Sequence, residues 1–381
     1  HPVRHSRESY DRFVSITNAG NHPRRTYDEN MEAASLDILR DQLERIDDEA
    51  PPLAGFDVAQ RLYDGLPPLT ARTGASVALQ QYSTPSPIAV LAQRLLATKD
   101  ELKNAHVLEP TIGNGSLVST LAQSHVYGVE IDPERLKRLP EYVHTLQADA
   151  TDTAFRQAFD QPNGFDFVIA NPPFGDTGRA KQISLPDGSP EASMPIRRLD
   201  QQIMLAALHA RKPEGRAVFI TGADNAFGNG DIEGTSRFVL NYLHDCYEGV
   251  EVVDIAGEMY AKQGAAYPIR LYVVDERKRT PEIVHDQPGR IPEKIPVIRS
   301  YPDLKLWAEG VLARRNEREV TIRADQLVPS SNTGGPNQEN GKSDDRSENE
   351  YQIPYVAFSK VSDPTTMIPA NLSGVIYEAL N

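Results

Sequence analysis

The chain has almost no cysteine and no long apolar run. Cys246 is its single cysteine among 381 residues, so an intrachain disulfide framework and a cysteine-rich zinc site are both excluded. The nine histidines show no metal-ligand spacing. No apolar run reaches the roughly 18 residues of a membrane span, and no apolar signal-peptide core follows the polar first residues. These absences predict a cytoplasmic protein without a metal centre or a membrane partner.

Basic residues are also in deficit. The chain has 40 lysines and arginines against 54 aspartates and glutamates, which gives a net charge of −14. A domain that binds nucleic acid over its whole surface is expected to be basic, so this composition argues against such a protein. A local basic groove on an acidic body remains compatible with it.

Apolar periodicity predicts an α/β fold. Leu36, Leu39, Leu43 and Ile46 recur at three- and four-residue steps, which predicts a helix over 31–48. A second helix is predicted for 58–63, before Pro-Pro. From about residue 86 to 275, short apolar strands alternate with helices, a pattern typical of a parallel or mixed sheet with helices on both faces.

Composition divides the chain into five segments. We expect a helical N-terminal region, a main α/β domain and a small C-terminal extension, followed by a linker and a tail. The linker has no large apolar residue and is rich in Ser, Asn, Gly, Asp and Glu, so it is predicted to be flexible. The predicted boundaries are 1–74, 75–275, 276–328, 329–350 and 351–381.

A glycine-containing turn follows the first predicted strand of the main domain, 105–108. Gly113 and Gly115 allow a tight turn and the close approach of a ligand, and a helix is predicted to follow over 117–123. The N–H groups at the start of that helix can bind a phosphate or an amino-acid carboxylate. The acidic Glu109 just before the turn favours a cationic ligand over a pyrophosphate.

Two further acidic residues end predicted strands. Glu130 ends the second strand, where a carboxylate typically accepts hydrogen bonds from ribose hydroxyls. Asp149 ends the third strand and is a candidate acceptor for an adenine amino group. These positions predict a nucleoside site along the same sheet edge.

The sharpest motif follows the strand 165–170. Asn171, Pro172, Pro173 and Phe174 combine a side-chain acceptor, a backbone fixed by proline with its carbonyls free, and a ring that can stack. Two acceptors at a fixed angle can hold an exocyclic amine, whose lone pair is otherwise delocalised into its aromatic ring. The motif therefore predicts methyl transfer to such an amine by positioning and preorganised dipoles, with no metal required.

Together with the upstream segment Tyr82-Ser83-Thr84-Pro85, these motifs resemble those of the amino-methyltransferase family. Their order over roughly 75–275 is similar to that of the γ class of DNA N6-adenine methyltransferases, although Ile112 stands where the family usually has a small residue. The resemblance implies a Rossmann-like class I methyltransferase fold with a mixed seven-stranded sheet. It also implies S-adenosyl-L-methionine as cofactor and double-stranded DNA as partner, from which the target base is flipped out.

The resemblance also implies site residues. The implied cofactor-binding residues are Tyr82, Thr84, Pro85, Glu109, Pro110, Gly113, Gly115, Glu130, Ile131, Asp149, Ala150 and Asn171. The implied catalytic residues that hold the target base are Asn171, Pro172, Pro173 and Phe174. The segment 176–198 either closes over the base and meets phosphates or is an ordinary surface loop; its candidate substrate-binding residues are Arg179, Lys181, Arg197 and Arg198. Tyr267 is a candidate for a second stacking face.

The tail carries a further resemblance. Its segments 351–356 and 367–372 look like the joint of large plasmid- and phage-borne proteins in which a methyltransferase is fused to a helicase. This implies a fused or associated helicase region.

Two alternatives remain open from the sequence. The same type of motif serves enzymes that methylate a protein glutamine amide or guanine N2 in RNA, although Phe174 favours adenine. The acidic charge also suits a non-catalytic, cofactor-binding module that recognises DNA or inhibits a restriction-modification system.

Overall fold

The structure is a computed structural model that describes residues 23–46, 50–66, 83–184, 193–223, 232, 234–263, 267–282, 284, 291–292 and 294–327. The predicted cofactor residue Tyr82, the linker 329–350 and the tail 351–381 lie outside the described residues. None of the described helices is long and apolar enough to cross a membrane. Within the same part of the chain, no group of three or more His, Cys, Asp or Glu side chains could hold a metal ion.

One large mixed sheet forms the centre of the fold. The strands are β1 His106–Glu109, β2 His125–Glu130, β3 Val143–Gln147, β4 Phe165–Ala170, β5 Asp176–Ser184, β6 Ser193–Arg198, β7 Arg211–Gly222, β8 Glu251–Ile255, β9 Ile269–Val274 and β10 Val297–Ile298. Their order is β3-β2-β1-β4-β7-β9-β8-β10, and β5 and β6 form a separate antiparallel pair. Within the large sheet, β9 runs antiparallel to both β7 and β8, whereas the other pairs are parallel.

This order confirms the predicted Rossmann-like class I methyltransferase fold, with one correction. The sheet has eight strands rather than seven, because Val297 and Ile298 pair with Asp254 and Ile255 of β8. Two residues are too few to show an alternating apolar pattern, so β10 could not be predicted from the sequence.

Helices cover both faces of the sheet. They are α1 Pro23–Glu44, α2 Ala54–Gly65, α3 Ser86–Leu96, α4 Lys99–Leu102, α5 Pro133–Leu136, α6 Phe155–Ala158, α7 Leu199–Ala210, α8 Gly234–Cys246 and α9 Tyr301–Leu327, with 3-10 helices at Ser116–Val118 and Gly257–Gln263. On one face, α3 is buried over nearly its whole length between the sheet and the N-terminal helices. On the other face, α7 and α8 bury their apolar residues.

The predicted helix over 117–123 is wrong, since only the short 3-10 helix Ser116–Val118 forms there. Side chains from other elements take up the backbone carbonyls that a longer helix would use. Gln93 donates to the carbonyl of Ser116 at 3.2 Å, and Tyr142 donates to that of Val118 at 3.1 Å. The carbonyls are therefore satisfied without a continuing α-helix.

The segment 176–198 is built around a β-hairpin. Strands β5 and β6 pair in antiparallel fashion, and Ile183 and Ile196 are buried in the same apolar cluster as α7. Of the two alternatives for this segment, the ordinary surface loop is therefore excluded, because its two strands are anchored on the core.

The carboxyl ends of the parallel strands meet at one edge of the sheet, which we call the carboxyl edge. Glu109, Glu130 and Asn171 stand at or just after the ends of β1, β2 and β4, and Gly222 ends β7. Because β9 is antiparallel, its start at Ile269 lies at the same edge, opposite Gly222 and Ile255. The separate sequence motifs are thus brought together in space.

Candidate active site at the carboxyl edge

The glycine turn after β1 has the predicted backbone. Gly113 and Gly115 have φ values of +56° and +80°, a left-handed region that favours glycine. The bulky Ile112 fits because Gly128 on β2 lies opposite it. A Cβ added at Gly128 would lie 2.5 Å from Cδ1 of Ile112, closer than atoms can pack. The departure from the family pattern at Ile112 is therefore matched by a glycine on the neighbouring strand.

Glu130 joins the turn to the end of β2. Its two carboxylate oxygens accept backbone N–H groups from Gly113 and Asp132, both at 2.9 Å. The side chain is buried, and burial raises the pKa of this carboxyl above its ordinary value. The next residue, Ile131, is 37% exposed and offers an apolar surface beside the carboxylate.

Asp149 shapes the loop after β3. Its Oδ1 accepts hydrogen bonds from the backbone N–H and the hydroxyl of Thr151, at 2.8 and 2.7 Å, and the adjoining Ala150 is buried. Lys181 of the hairpin donates from Nζ to the carbonyl of Thr151 at 3.1 Å. Burial lowers the pKa of Lys181, while Asp152 and Asp149 oppose that shift. The structure therefore places Lys181 against the predicted adenine loop.

Glu109 is a buried carboxylate with one unsatisfied oxygen. Its Oε1 lies 3.3 Å from the hydroxyl of Thr111, whereas its Oε2 has no hydrogen-bond partner. Burial raises the pKa of Glu109 well above its ordinary value, and the nearby Glu130 raises it further. Glu109 ends β1, and β1 pairs with β4, the strand that leads into Asn171, so the glycine turn and the predicted catalytic motif follow neighbouring strands. Pro110 next to Glu109 is buried as well.

Asn171 has a fixed amide. Its Nδ2 donates to Oγ1 of the buried Thr84 at 2.8 Å, and Thr84 stands just before Pro85, the residue that caps the start of α3. With the nitrogen so placed, Oδ1 is closed off from solvent and has no hydrogen-bond partner. Buried polar groups are rarely left unpaired, so this oxygen is an acceptor that lacks its donor.

Phe174, three residues after Asn171, packs against Gly222 at the end of β7. Its ring lies 3.4 Å from where a Cβ on Gly222 would stand, and it packs on the main core. Arg198 donates to both oxygens of the fully buried Asp200, at 3.1 and 2.7 Å, and to the carbonyl of Gly222 at 3.1 Å. In this structure Arg198 thus holds the backbone of Gly222, the residue against which Phe174 packs.

The remaining candidate contacts are more exposed. Arg197 pairs with Asp176 at 3.3 Å with about half of its side chain, 55%, exposed, and Arg179 is also exposed. Tyr267 is 68% exposed and precedes Pro268, whose carbonyl accepts the N–H of Ala223 at 3.0 Å. These side chains are open to an incoming partner, and their roles stay predictions. Of the catalytic motif, Pro172 is buried and Pro173 half-buried.

Three residues of the site were missed from the sequence. Asp200 lies in a predicted helix, and its spacing two residues after Arg198 was the available signal. Glu29 and Glu32 lie on α1, which begins earlier than predicted, and both are buried. Glu32 stands four residues before Leu36, so it continues the apolar stripe of that helix, and this position predicts burial.

Comparisons with known proteins bear on this site. A sequence model of the N-6 DNA methylase family matches residues 57–280, more than half of the chain. Over 118 residues the chain is 31% identical to an rRNA N6-adenosine-methyltransferase of Caenorhabditis elegans, a match that covers 27% of this chain and 53% of that protein. The chain therefore spans about half the length of this curated relative.

Solved structures with similar folds share little sequence with this chain. The methyltransferase subunit of a type I restriction-modification system from Streptococcus thermophilus is 16% identical with a TM-score of 0.41, over 52% of this chain and 45% of that one. A Listeria monocytogenes protein that is classed with the class I S-adenosylmethionine-dependent methyltransferases is 15% identical with a TM-score of 0.43, over 80% of this chain and 95% of that one.

Proposed function

Because this chain belongs to the N-6 DNA methylase family, we propose that it transfers a methyl group from S-adenosylmethionine to the N6 amine of adenine in DNA. Family membership supports the methyl transfer and S-adenosylmethionine as cofactor, and the adenine base and the DNA are the finer part of the proposal. The observation that carries the proposal is the amide of Asn171. Thr84 fixes its orientation, and its Oδ1 is a dry acceptor without a donor.

An exocyclic amine supplies the donor that Asn171 lacks. One N–H of the amine donates to Oδ1 of Asn171, and the other donates to the backbone carbonyl of Pro172, while Phe174 supports one face of the ring. Holding both N–H bonds favours a more tetrahedral nitrogen, whose lone pair is then free to attack. The gain comes from orientation and from dipoles fixed in advance by Thr84, and neither requires a metal ion.

The residues at the other half of the edge fit the cofactor. The left-handed glycines 113 and 115 open the turn, and Glu130 and the exposed Ile131 lie at the end of β2, where a ribose and an adenine are expected. When bound, S-adenosylmethionine supplies a methyl group on a positively charged sulfur. The buried Glu109 ends the strand paired with the one that leads into Asn171, and it favours positive charge next to the amine that the motif holds.

Two observations bear on the nucleic acid. The family match favours DNA, and the exposed Arg179 and Arg197 on the hairpin suit phosphate contacts near the site. The C. elegans relative instead favours adenosine in RNA as a second candidate, with the same amine and the same chemistry. A helicase region joined to the tail remains a prediction from the sequence.

The test is the transfer of labelled methyl groups from S-adenosylmethionine into separate pools of unmethylated plasmid DNA, total RNA and cell protein. We expect label in DNA, lost on Asn171→Ala and kept on Asn163→Ala, which alters an exposed asparagine in the loop before the same strand. Label in RNA alone would replace the DNA proposal by the second candidate. Label in protein alone would overturn adenine as the target.

A further inference from the structure

Helix α1, which lies outside the matched residues 57–280, is anchored on the glycine turn. Oε2 of Glu29 accepts from Nδ2 of Asn114, the residue between the two glycines, at 2.6 Å. Nε of Arg40 donates to the carbonyl of Ser119 at 3.0 Å, just beyond the turn. Arg135 also contacts this helix, since its Nη2 lies 3.4 Å from Oε1 of Glu29. The helix thus covers the place where the amino-acid end of the cofactor is expected.

This cluster buries more negative than positive charge. Its buried carboxylates are Glu29, Glu32, Glu109 and Glu130. The arginines that pair with it, Arg135 at 3.4 Å and Arg138 at 3.7 Å, both contact Glu29. Over the described part of the chain, neither Glu32 nor Glu109 has an ion-pair partner. A buried carboxylate without a counter-ion is costly, so the cluster favours a positively charged ligand.

The same cluster contains acceptor atoms without donors. Among the described residues, Oε1 of Glu32, Oδ1 of Asn114 and Oε2 of Glu109 are sealed from solvent and have no hydrogen-bond partner. Glu32 stands three residues after Glu29 on α1, so it lies on the same face of the helix as the glutamate that accepts from Asn114. One donor, Nε of Arg135, is also unpaired. A primary ammonium has three N–H donors, and the carboxylate beside it in an amino acid is an acceptor.

We propose that Glu32, on the face of α1 that meets Asn114, binds the α-ammonium group of the cofactor's methionine moiety. The inference rests on the proposed cofactor and adds a residue of α1 to its site. Glu32 contributes an ionic hydrogen bond to a group that S-adenosylmethionine shares with S-adenosylhomocysteine. It contributes nothing toward 5′-methylthioadenosine, which has the nucleoside and the thioether but no amino-acid group.

Calorimetric titration of the full chain with these three compounds tests the assignment. We expect Glu32→Gln to lower the affinity for S-adenosylmethionine and for S-adenosylhomocysteine by the same factor, about tenfold or more. The affinity for 5′-methylthioadenosine should stay unchanged. The matched control is Asp41→Asn on the same helix, because Asp41 is exposed and, among the described residues, pairs with Arg45 at 2.7 Å. That variant should bind all three compounds as the wild type does.

Three outcomes would overturn the inference in different ways. An equal loss of affinity for all three compounds in Glu32→Gln would mean that Glu32 only holds α1 on the domain. A loss of affinity for S-adenosylmethionine alone would assign Glu32 to the sulfonium. Unchanged binding of all three would remove Glu32 from the site while the proposed function stands. If the wild type binds none of them, the proposed function itself fails.

Discussion

On the β1–β3 side of the carboxyl edge, Glu32 and Glu109 are buried without an ion-pair partner in the described part of the chain. On the β4–β7 side, the buried carboxylate Asp200 is held in a two-point pair with Arg198, and the unsatisfied group is the neutral amide oxygen of Asn171. An unpaired buried charge costs far more than an unpaired buried amide oxygen. The first side is therefore built to receive a cation, and the second to receive an uncharged N–H donor.

This difference matches the two reactants of a methyl transfer to an amine. The donor carries positive charge on its sulfur and its ammonium, and the acceptor is a neutral amine. The two sides meet at the paired strands β1 and β4, whose ends lead into Glu109 and Asn171. Changes on one side should therefore alter cofactor affinity, and changes on the other should alter the rate of transfer.

The largest effect is expected on the target side. Asn171→Ala removes the amide acceptor, and we expect the rate of methyl transfer to fall about 10²–10³-fold, as for the loss of one preorganised polar group in other active sites. Cofactor affinity should fall far less than the rate, because the carboxylates that favour the cation remain. Single-turnover rates and calorimetry on the same preparation measure both quantities. An equal loss of cofactor affinity would contradict the proposal that the two sides bind different reactants.

The next effect lies on the cofactor side. Gly128→Ala places a Cβ 2.5 Å from Cδ1 of Ile112, and we expect this overpacking to lower the free energy of unfolding by about 1–3 kcal/mol. It should also weaken cofactor binding, because Ile112 belongs to the turn. Ile112→Val removes the Cδ1 atom that the added methyl would meet, so in denaturant titrations the double variant should recover part of the stability that the sum of the two single changes would lose. No recovery would show that Ile112 does not set the shape of the turn.

A smaller effect is expected from the residue that orients the amide. Thr84→Val keeps the size of the side chain but removes the oxygen that accepts from Nδ2 of Asn171 at 2.8 Å. Losing one hydrogen bond of about 1 kcal/mol should slow the transfer roughly fivefold. Thr84→Ser should keep the rate near that of the wild type. A Thr84→Ser variant as slow as Thr84→Val would point to packing rather than to the hydroxyl.

The smallest effect concerns pH. Burial, and then the nearby Glu29, raise the pKa of Glu32 above the ordinary value of 4.5, whereas Arg135 opposes the shift. The folded protein without cofactor therefore keeps this proton to higher pH than the unfolded chain does. The contribution of Glu32 is fully present below pH 4.5 and is lost as pH rises through its folded pKa.

Urea titrations at several pH values check this sign. The free energy of unfolding of the cofactor-free protein should fall more steeply above pH 4.5 in the wild type than in Glu32→Gln, which has no carboxyl at this position. S-adenosylhomocysteine should flatten the wild-type curve. Parallel curves for the two proteins would mean that Glu32 is ionised without penalty.

The sequence predicted the strands and motifs at the carboxyl edge because apolar strands and prolines leave local patterns. Asn171 to Phe174 were recognisable from a strand that runs into two prolines, and Glu130 from its place at a strand end. Local patterns did not show β10, which has two residues. They also did not show that 117–123 forms no α-helix, because distant side chains bind backbone carbonyls there.

The acidic residues of α1 were missed for another reason. Glu32 occupies a buried position of the helix, but a glutamate in an apolar stripe is ordinarily read as solvated. Its burial depends on how α1 lies across the turn, where Glu29 contacts Asn114, 85 positions away in sequence. The stripe therefore indicates that Glu32 is buried, but not which residues it faces.

The most direct test of the central claim identifies the atom that receives the methyl group. The wild-type protein is incubated with S-adenosylmethionine that carries a deuterated methyl group, together with unmethylated duplex DNA and an equal amount of RNA in one tube. Both polymers are then digested to nucleosides and analysed by mass spectrometry. We predict deuterated N6-methyladenine in the DNA, and little or none in the RNA. Label on the N4 amine of cytosine, in RNA alone, or on no nucleoside while the cofactor binds would contradict the account.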